Sequence, residues 1–230
     1  MHYTIQDLAH ISIGKIHQLD SLAHNLANAG TPGYKAANLH LRSSSPSRFV
    51  EILQSVDYSQ GTLERTGNAL DAAIQGEGFF TVQTNEGLAY TRKGSFLLNG
   101  NKELTTEAGW PVLGDGGRIS VRGADVRIEG NGSVVVDGSA VGRLKISRFG
   151  QPAELKKRGD SLFVDGGNAQ PKRSEQPRIA QGSIERSNTR VVEQMVAMIE
   201  VQRMFETYTK IVQSLSEIDR LSTNRVGKLG

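Results

Sequence analysis

The C-terminal stretch at residues 187–225 is the most informative part of this sequence and reads SNTRVVEQMVAMIEVQRMFETYTKIVQSLSEIDRLSTNR. It contains neither glycine nor proline, and its apolar residues recur at heptad spacing, which predicts one long amphipathic helix. At 1.5 Å per residue the helix is about 55 Å long, and Ser187 and Asn188 are its candidate N-caps. The residues that we expect to form its packing seam are Val191, Met195, Met198, Val201, Met204, Phe205, Tyr208, Ile211, Val212 and Leu215.

A second amphipathic helix is predicted at residues 4–28, and its seam consists of Ile5, Leu8, Leu19 and Leu22. The sequence AGTPG at residues 29–33 ends this helix, since glycine favours the left-handed cap and proline cannot continue a helix. The first helix is too short to cover the whole apolar face of the second. We therefore expect other subunits to supply the remaining contacts, although the long helix could also pack across its own β domain.

Between the two helices the sequence changes in character, because 21 of the 26 glycines lie between Gly61 and Gly182. Short runs of alternating apolar and polar residues, separated by turn pairs such as Asn99-Gly100 and Asp137-Gly138, predict antiparallel strands. The fold class is therefore α+β: N- and C-terminal amphipathic helices that pair as a coiled-coil-like layer, with a central antiparallel all-β domain. The predicted divisions are an N-terminal helix at 1–35, an extended linker at 36–69, the β domain at 70–170, a return linker at 171–184 and a C-terminal helix at 185–230.

Composition excludes several classes of protein. The 27 basic and 24 acidic residues give a net charge of only +3, which argues against nucleic acid as the main partner. The chain has no cysteine, so disulfides and thiolate metal sites are excluded. No run of apolar residues is long enough to span a membrane, and the N-terminus does not have the pattern of a cleaved secretory signal.

The sequence contains no convincing catalytic, cofactor or metal site. His10, His17 and His24 recur every seven residues, so neighbours on a helix are about 10.5 Å apart and cannot share one metal ion. This stripe is more simply a polar helix face, with a pH-responsive contact as the alternative. A carbohydrate-active enzyme would need paired carboxylates, and the candidates are acids of predicted turns: Asp71, Glu77, Asp115, Glu129 and Asp137. We expect no small-molecule substrate, no cofactor and no enzymatic activity.

Several motifs nevertheless resemble a known family. The sequence NLANAGTPGYK at residues 25–35 is similar to the signature of the bacterial flagellar rod and hook proteins. The similarity continues in QGTLERTGNALDAAIQGEGFF at 60–80, YTRKGSF at 90–96 and GSIERSN at 182–188. Within this family the short span between residues 35 and 60 and the sequence PVLGDGG at 111–117 resemble the proximal-rod subtype. The residues matched to the N-terminal signature, which the resemblance marks for assembly, are Asn25, Leu26, Ala27, Asn28, Thr31, Pro32, Gly33, Tyr34 and Lys35.

The resemblance implies a structural subunit of the flagellar basal-body rod. Members of this family polymerise into a helical tube whose inner layer consists of paired terminal helices, and the tube transmits torque through the periplasm. The implied partners are copies of the chain, other rod proteins and the flagellar export apparatus, which would deliver the chain without a cleaved signal. The alternatives are a distal-rod or hook-like paralogue and a β-rich extracellular binding module whose helices form a closed oligomer.

Overall fold

The computed structural model describes residues 5–43 and 50–226. In these residues two α-helices flank a series of short strands, with one short 3-10 helix at Pro152–Glu154. The helices are α1 (Ile5–Ala27) and α2 (Val191–Val226). The strands are β1 (Ala37–Ser43), β2 (Val50–Val56), β3 (Leu63–Arg65), β4 (Ala72–Ile74), β5 (Phe79–Thr84), β6 (Gly87–Thr91), β7 (Phe96–Leu98), β8 (Leu104–Thr106), β9 (Leu113–Gly114), β10 (Gly117–Arg118), β11 (Val126–Ile128), β12 (Ser133–Val136), β13 (Ser139–Arg143), β14 (Ile146–Arg148), β15 (Leu155–Arg158), β16 (Leu162–Asp165), β17 (Lys172–Arg173), β18 (Ile179–Gln181) and β19 (Ser183–Glu185).

The chain divides into two compact units. The first, here called the helical unit, contains α1, the paired strands β1 and β2, and α2. Within it α1 contacts both α2 and β1, and the Asn25 side chain donates a hydrogen bond to the Gln194 side chain at 3.1 Å. Val201 of α2 is buried in this unit. No helix in the described part of the chain is long and apolar enough to cross a membrane.

The second unit, here called the β unit, consists of residues 28–36 and 56–189. Its largest sheet has six strands in the order β15-β16-β6-β5-β14-β17, and all of its pairings are antiparallel. The main core takes side chains from this sheet and from the smaller ones. It is built from fully buried aliphatic side chains together with the edge-to-face pair Phe80 and Phe96, whose ring centroids are 5.0 Å apart. A smaller aromatic core contains Phe79, Tyr90 and Phe163.

The α+β class with an antiparallel β domain and a long C-terminal helix is confirmed. The predicted N-caps of α2 were wrong, because the helix begins at Val191 rather than directly after Asn188. The Asn188 side chain accepts a hydrogen bond from the Ala36 amide at 2.8 Å and donates one to the Asp57 carbonyl at 2.8 Å. Its amide group is thus committed to tertiary contacts.

The two stretches that we expected to be linkers contain strands. Residues 36–69 include β1, β2 and β3, and residues 171–184 include β17, β18 and most of β19. In addition, β3 pairs with β19, and β4 pairs with β18. β3, β4, β18 and β19 are each three residues long and have no long alternating pattern, and each pairs with a strand more than 100 residues away in sequence. A local reading of periodicity does not detect such pairings.

Candidate functional site

The turn that follows α1 requires a glycine at position 33. The Thr31 amide donates to the Asn28 carbonyl at 3.0 Å, which closes a turn directly after the helix. Gly33 has a φ of +66°, and a Cβ there would overlap the backbone of Lys93. Its amide donates to the Glu185 carbonyl at 2.7 Å. The turn therefore brings the next residues against two distant parts of the β unit.

Lys35 lies in the interior of the β unit, where a lysine is seldom found. Its side chain is completely enclosed, as is that of Glu185. The Lys35 Nζ atom donates to Glu185 Oε1 at 2.6 Å and to the Ser59 carbonyl at 2.5 Å. The ammonium group thus has one charged and one neutral acceptor, which partly replace the water it has lost.

Glu185 is also the acceptor for two other groups. The Arg92 guanidinium donates to Glu185 Oε2 at 3.1 Å, and the Gly61 amide donates to Oε1 at 2.9 Å. Gly61 is itself confined, because a Cβ at that position would overlap the carbonyl oxygen of Arg186. We call Lys35, Arg92 and Glu185 the buried charge cluster.

The buried charge cluster contains two cations and one anion. Burial lowers the pKa of Lys35, while Glu185 opposes this shift through its charge and its hydrogen bond. Burial likewise lowers the pKa of Arg92, with Glu185 again opposing. Arg92 lies 5.1 Å over the Phe79 ring, and its buried Nε has no hydrogen-bond acceptor among the described residues. The cluster keeps an excess of one positive charge in an apolar setting, and removing Glu185 would leave two buried cations unpaired.

This cluster is the point where the family-like motifs meet. Lys35 belongs to the motif at 25–35, Gly61 to the one at 60–80, Arg92 to the one at 90–96 and Glu185 to the one at 182–188. Four stretches that are far apart in the chain each contribute one hydrogen-bonding group. The motifs therefore specify the buried charge cluster, which connects four segments of the β unit.

Lys157 contacts the segment that carries Lys35. Its Nζ atom donates to the Lys35 carbonyl at 2.8 Å and lies 3.5 Å from the centroid of the Tyr34 ring. Burial lowers the pKa of Lys157 from 10.5 to about 8, and burial also raises the pKa of Tyr34. The cation over the ring is thus only partly hydrated.

In the helical unit, Asn25 performs a comparable bridging role. Its side-chain oxygen accepts from the Ala37 amide at 2.9 Å, and its side-chain nitrogen donates to the Ala37 carbonyl at 2.8 Å. Asn25 is itself buried. An aspartate could accept but not donate, and a leucine could do neither. The pattern of donors and acceptors explains an asparagine at this helical position.

The remaining predicted assembly residues differ widely in exposure. Of the N-terminal signature, Tyr34 is buried, Leu26, Asn28, Thr31 and Pro32 are half-buried, and Ala27 is exposed. Of the seam residues, Val201 is buried and the half-buried ones are Leu19, Leu22, Met198, Tyr208 and Val212. The exposed seam residues are Val191, Met195, Met204, Phe205 and Ile211. The side chains of Ile5, Leu8, Leu215 and His10 lie outside the described residues, and His17 and His24 are exposed.

Gly61, Arg92 and Glu185 were not predicted as site residues from the sequence, and Asn188 was predicted only as an N-cap, although each lies within a quoted motif. The available signal was a charged residue next to a single apolar residue in a short strand, as Glu185 next to Ile184 in β19. Such a pattern indicates either a solvated edge or a buried ion pair. Only the pairing of β19 with β3 distinguishes the two.

The five acids considered for catalysis are engaged in local structure. Asp71 accepts hydrogen bonds from Thr66 at 2.6 Å and from Asn68 at 3.0 Å. Asp137 accepts from the backbone amides of residues 124 and 125. The others contact Arg148, Arg173 and Asn131, in the pairs Glu77–Arg148, Asp115–Arg173 and Glu129–Asn131. Their contacts are those of turn and surface residues.

Known proteins are similar to this chain over most of its length. Residues 73–139 match the family model described as flagellar hook protein FlgE/F/G D1 domain, and residues 180–225 match the one described as flagellar basal body rod FlgEFG protein C-terminal. The chain is 36% identical to the flagellar basal-body rod protein FlgF of Caulobacter vibrioides over 227 residues, covering 92% of this chain and 93% of that protein.

Two further relatives extend the comparison. FlgF of Salmonella typhimurium is 32% identical over 219 residues, with 85% of this chain and 86% of the relative covered. The flagellar basal-body rod protein FlgG of Borreliella burgdorferi is 30% identical over 246 residues, with 90% and 92% covered. These matches define a structural protein of the bacterial flagellum rather than an enzyme. The chain belongs to the flagellar basal-body rod protein family, and to its FlgF type.

Proposed function

We propose that this rod protein occupies the proximal part of the rod and assembles there through its two terminal helices. In this proposal α1 and α2 pair as a coiled-coil-like layer, and copies of the chain and other rod proteins cover the rest of their apolar surface. The resulting helical tube transmits torque. In this proposal the helical unit supplies the rod-core part, and the β unit supplies the β domain.

The observation that carries the proposal is the apolar surface that α2 leaves exposed. Val192, Met195, Val196 and Ile199 recur at helical spacing, and their side chains are between 47% and 75% exposed. Val201, which is buried, lies half a turn away from Val192 around the helix. A second exposed line, at heptad spacing, consists of Met204, Ile211 and Ile218.

These surfaces favour association. Two apolar lines on one helix exceed what a monomeric protein normally exposes, and burial of apolar area stabilises by about 25 cal/mol per Å². Much of this gain is offset by the entropy lost on assembly, so a free dimer would be weak. Contacts with several neighbours at once would make incorporation into a polymer favourable.

The proposal extends to location and delivery. The rod protein would work in the periplasm, after passing through the flagellar type III export apparatus without removal of a signal. Support comes from the family membership and from the amphipathic helices, which would be free to pair only after delivery.

Substitutions on α2 test the assembly proposal. We expect Met198→Asp, Ile199→Asp and Phe205→Asp each to abolish incorporation of the chain into isolated basal bodies, because a carboxylate would be buried against an apolar neighbour. The readout is immunoblotting of basal bodies from a strain of the source bacterium that carries only the variant.

Thr207→Asp is the matched control, since Thr207 is an exposed polar residue of the same helix and lies between the two exposed apolar lines. It should incorporate normally. The purified variants should keep the near-ultraviolet circular dichroism of the β unit, which separates a failure of assembly from a failure of folding. Normal incorporation of Ile199→Asp and Phe205→Asp would contradict the proposal.

The similarity to FlgG favours one competing assignment, a distal-rod position. Cross-linking in purified basal bodies distinguishes the two positions. A proximal subunit should cross-link to components at the membrane-proximal end of the rod, and a distal subunit to those next to the hook. A β-rich binding module with oligomerising helices would instead purify as one discrete oligomer outside basal bodies.

A further inference from the structure

A large groove lies on the β unit beside the buried charge cluster. Its volume is about 830 Å³, and it is open to solvent along one side of the six-stranded sheet. The residues that line it come from the start of β5 and the segment before it, the end of β14 and the segment after it, and β17 with the segment after it, together with Tyr58 and Arg92. Nothing in the proposed assembly through α1 and α2 uses this groove. The groove is therefore available for a different contact.

The floor of the groove is aromatic. Tyr58, Phe79 and Phe149 all line it, with the Tyr58 and Phe149 rings 6.0 Å and 5.7 Å from the Phe79 ring between centroids. Tyr58 and Phe149 are half-buried, so part of each ring faces the open space. Such rings offer an apolar contact surface for a side chain that enters from outside.

The walls of the groove are cationic. Arg92, Arg148, Lys172 and Arg173 line it, against two acids, Glu77 and Glu175. Arg148 pairs with Glu77 and Arg173 with Asp115, but these pairs are largely exposed and contribute little energy. Lys172 is exposed and forms no ion pair within the described residues. Its charge is available to a ligand.

The buried charge cluster contributes to the electrostatic potential in the groove through Arg92. Arg92 belongs to both the cluster and the groove lining. When Lys35, Asp57, Glu185 and Asp115 are counted with the lining residues, five cations and five acids balance, so the attraction for an anion depends on the four cations placed on the lining. Cations next to low-dielectric aromatic walls attract an anion more strongly than the same cations in water.

One edge strand of the six-stranded sheet, β17, lies along the groove. Strand β17 pairs with β14 on one side and is the terminal strand of the six-stranded sheet in the described chain. Lys172 and Arg173 form this strand and also line the groove. Terminal strands are the usual places where an extended peptide is added through its backbone. Strand β15 at the opposite edge is also basic, but none of its residues lines the groove.

We propose that the groove is a docking site for an extended acidic peptide segment of a partner protein, with an aromatic side chain of that segment packed on the exposed parts of the Tyr58 and Phe149 rings. The carboxylates of the segment would contact Lys172 and the neighbouring arginines. The backbone of the segment would run along β17. The residues that line this groove all belong to the β unit, whereas the assembly proposal uses the two helices.

Fluorescence anisotropy with labelled synthetic peptides tests this directly on the full-length chain. The probe is a peptide of about seven residues that alternates glutamate and phenylalanine. One comparison peptide replaces phenylalanine by serine, and another replaces glutamate by lysine. We expect the first peptide to bind about tenfold or more tightly than either comparison, with binding weakened by added salt. Equal binding of the glutamate–serine peptide would overturn the proposal, since charge alone would then suffice.

Two matched pairs of variants locate the binding. Gly150 lines the groove, and a Cβ there would meet nothing within 4 Å, so Gly150→Gln fills the open space without a clash. Gly100 is equally open but lies outside the groove lining, and Gly100→Gln is its control. Lys172→Glu on β17 is compared with Lys156→Glu on the opposite edge strand.

We expect Gly150→Gln and Lys172→Glu each to weaken binding by about tenfold, and both controls to stay within about twofold of the parent chain. Unchanged melting temperatures show that all four variants fold. Equal loss in each variant and its control would overturn the proposal. Vesicles that contain half phosphatidylglycerol test the other anionic occupant. If they bind in a manner abolished by Gly150→Gln while no peptide binds, the occupant is a lipid surface and the peptide proposal is wrong.

Discussion

The Lys35 Nζ atom lies 2.6 Å from Oε1 of Glu185, and the two side chains are 150 residues apart in sequence and fully enclosed. This ion pair joins the segment directly after α1 to the last strand of the β unit. Buried ion pairs do not by themselves stabilise a protein more than apolar residues of similar size. Their loss is nevertheless costly once the surrounding groups have been desolvated.

Replacement of the buried anion should destabilise the β unit severely. Glu185→Gln leaves Lys35 and Arg92 in the interior without a counter-charge, and we expect the free energy of unfolding to fall by about 3–5 kcal/mol. Urea denaturation followed by tryptophan fluorescence measures this change. Glu64→Gln is the control, because Glu64 forms an ion pair with Arg186 in which both side chains are about half exposed. Its effect should be below about 1 kcal/mol.

Gly33→Ala should cost more than an ordinary glycine replacement. The alanine would combine an unfavourable positive φ with an overlap between its Cβ and the Lys93 backbone nitrogen. Gly67→Ala provides the comparison, because Gly67 has a φ of +79° but nothing within 4 Å of the position that a Cβ would occupy. The control isolates the cost of φ, about 1–3 kcal/mol. A melting temperature for Gly33→Ala equal to that for Gly67→Ala would show that the backbone can move away.

The stability of the β unit should rise with pH between about 8 and 10. The pKa of Lys157 is about 8 in the folded chain, below its ordinary value of 10.5. In this window the unfolded chain binds more protons than the folded chain, so the free energy of unfolding increases with pH. Above pH 10 the trend should reverse, since burial raises the pKa of Tyr58 to about 12 and that of Tyr34 and Tyr90 as well.

Paired variants assign this pH dependence. Lys157→Met removes the titrating group but keeps an apolar stem, and should reduce the gain in unfolding free energy between pH 7.5 and 9.5. Lys156→Met, at the exposed neighbouring position of β15, should leave the gain unchanged. A residual gain in the Lys157 variant is expected, because burial lowers the pKa of Lys35 in the same direction. If both variants behave alike, Lys157 does not control the dependence.

Hydrogen exchange should show that the turn after α1 is as stable as the β core. The Gly33 amide donates to the Glu185 carbonyl at 2.7 Å, and the Arg186 amide donates to the Thr62 carbonyl at 2.8 Å. Both should exchange about a hundredfold or more slowly than the Asn101 amide, which donates only to the exposed Asn99 side chain. Fast exchange at Gly33 would mean that the contacts around Lys35 break by local unfolding.

The sequence was sufficient for the features that depend on local patterns. Both helices agree with their apolar periodicity, and the strands around Asn99-Gly100 and Asp137-Gly138 lie where the turn signals place them. Ile119 and Val121 alternate as in a strand, but they enter the core from irregular backbone that follows β10 (Gly117–Arg118).

The buried charge cluster could not be predicted in the same way. Lys35 and Glu185 are ordinary surface residues by type, and their burial depends on the pairing of β3 with β19. The glycines at 33 and 61 become understandable only when the neighbouring backbone is known. The resemblance to the rod family marked Lys35, but it did not identify the acid that neutralises it.

The separation of Lys35 from Glu185 also determines when the β unit can finish folding. During synthesis from the N-terminus, Lys35, Gly61 and Arg92 are made long before Glu185. Strands β3 and β4 therefore cannot pair until β19 and β18 have been synthesised. Contacts between residues so far apart in sequence close slowly, since the loop entropy is lost before the contact is gained. The nascent chain therefore stays incompletely folded until its last quarter has been synthesised. A truncation just before residue 185 should trap that open state.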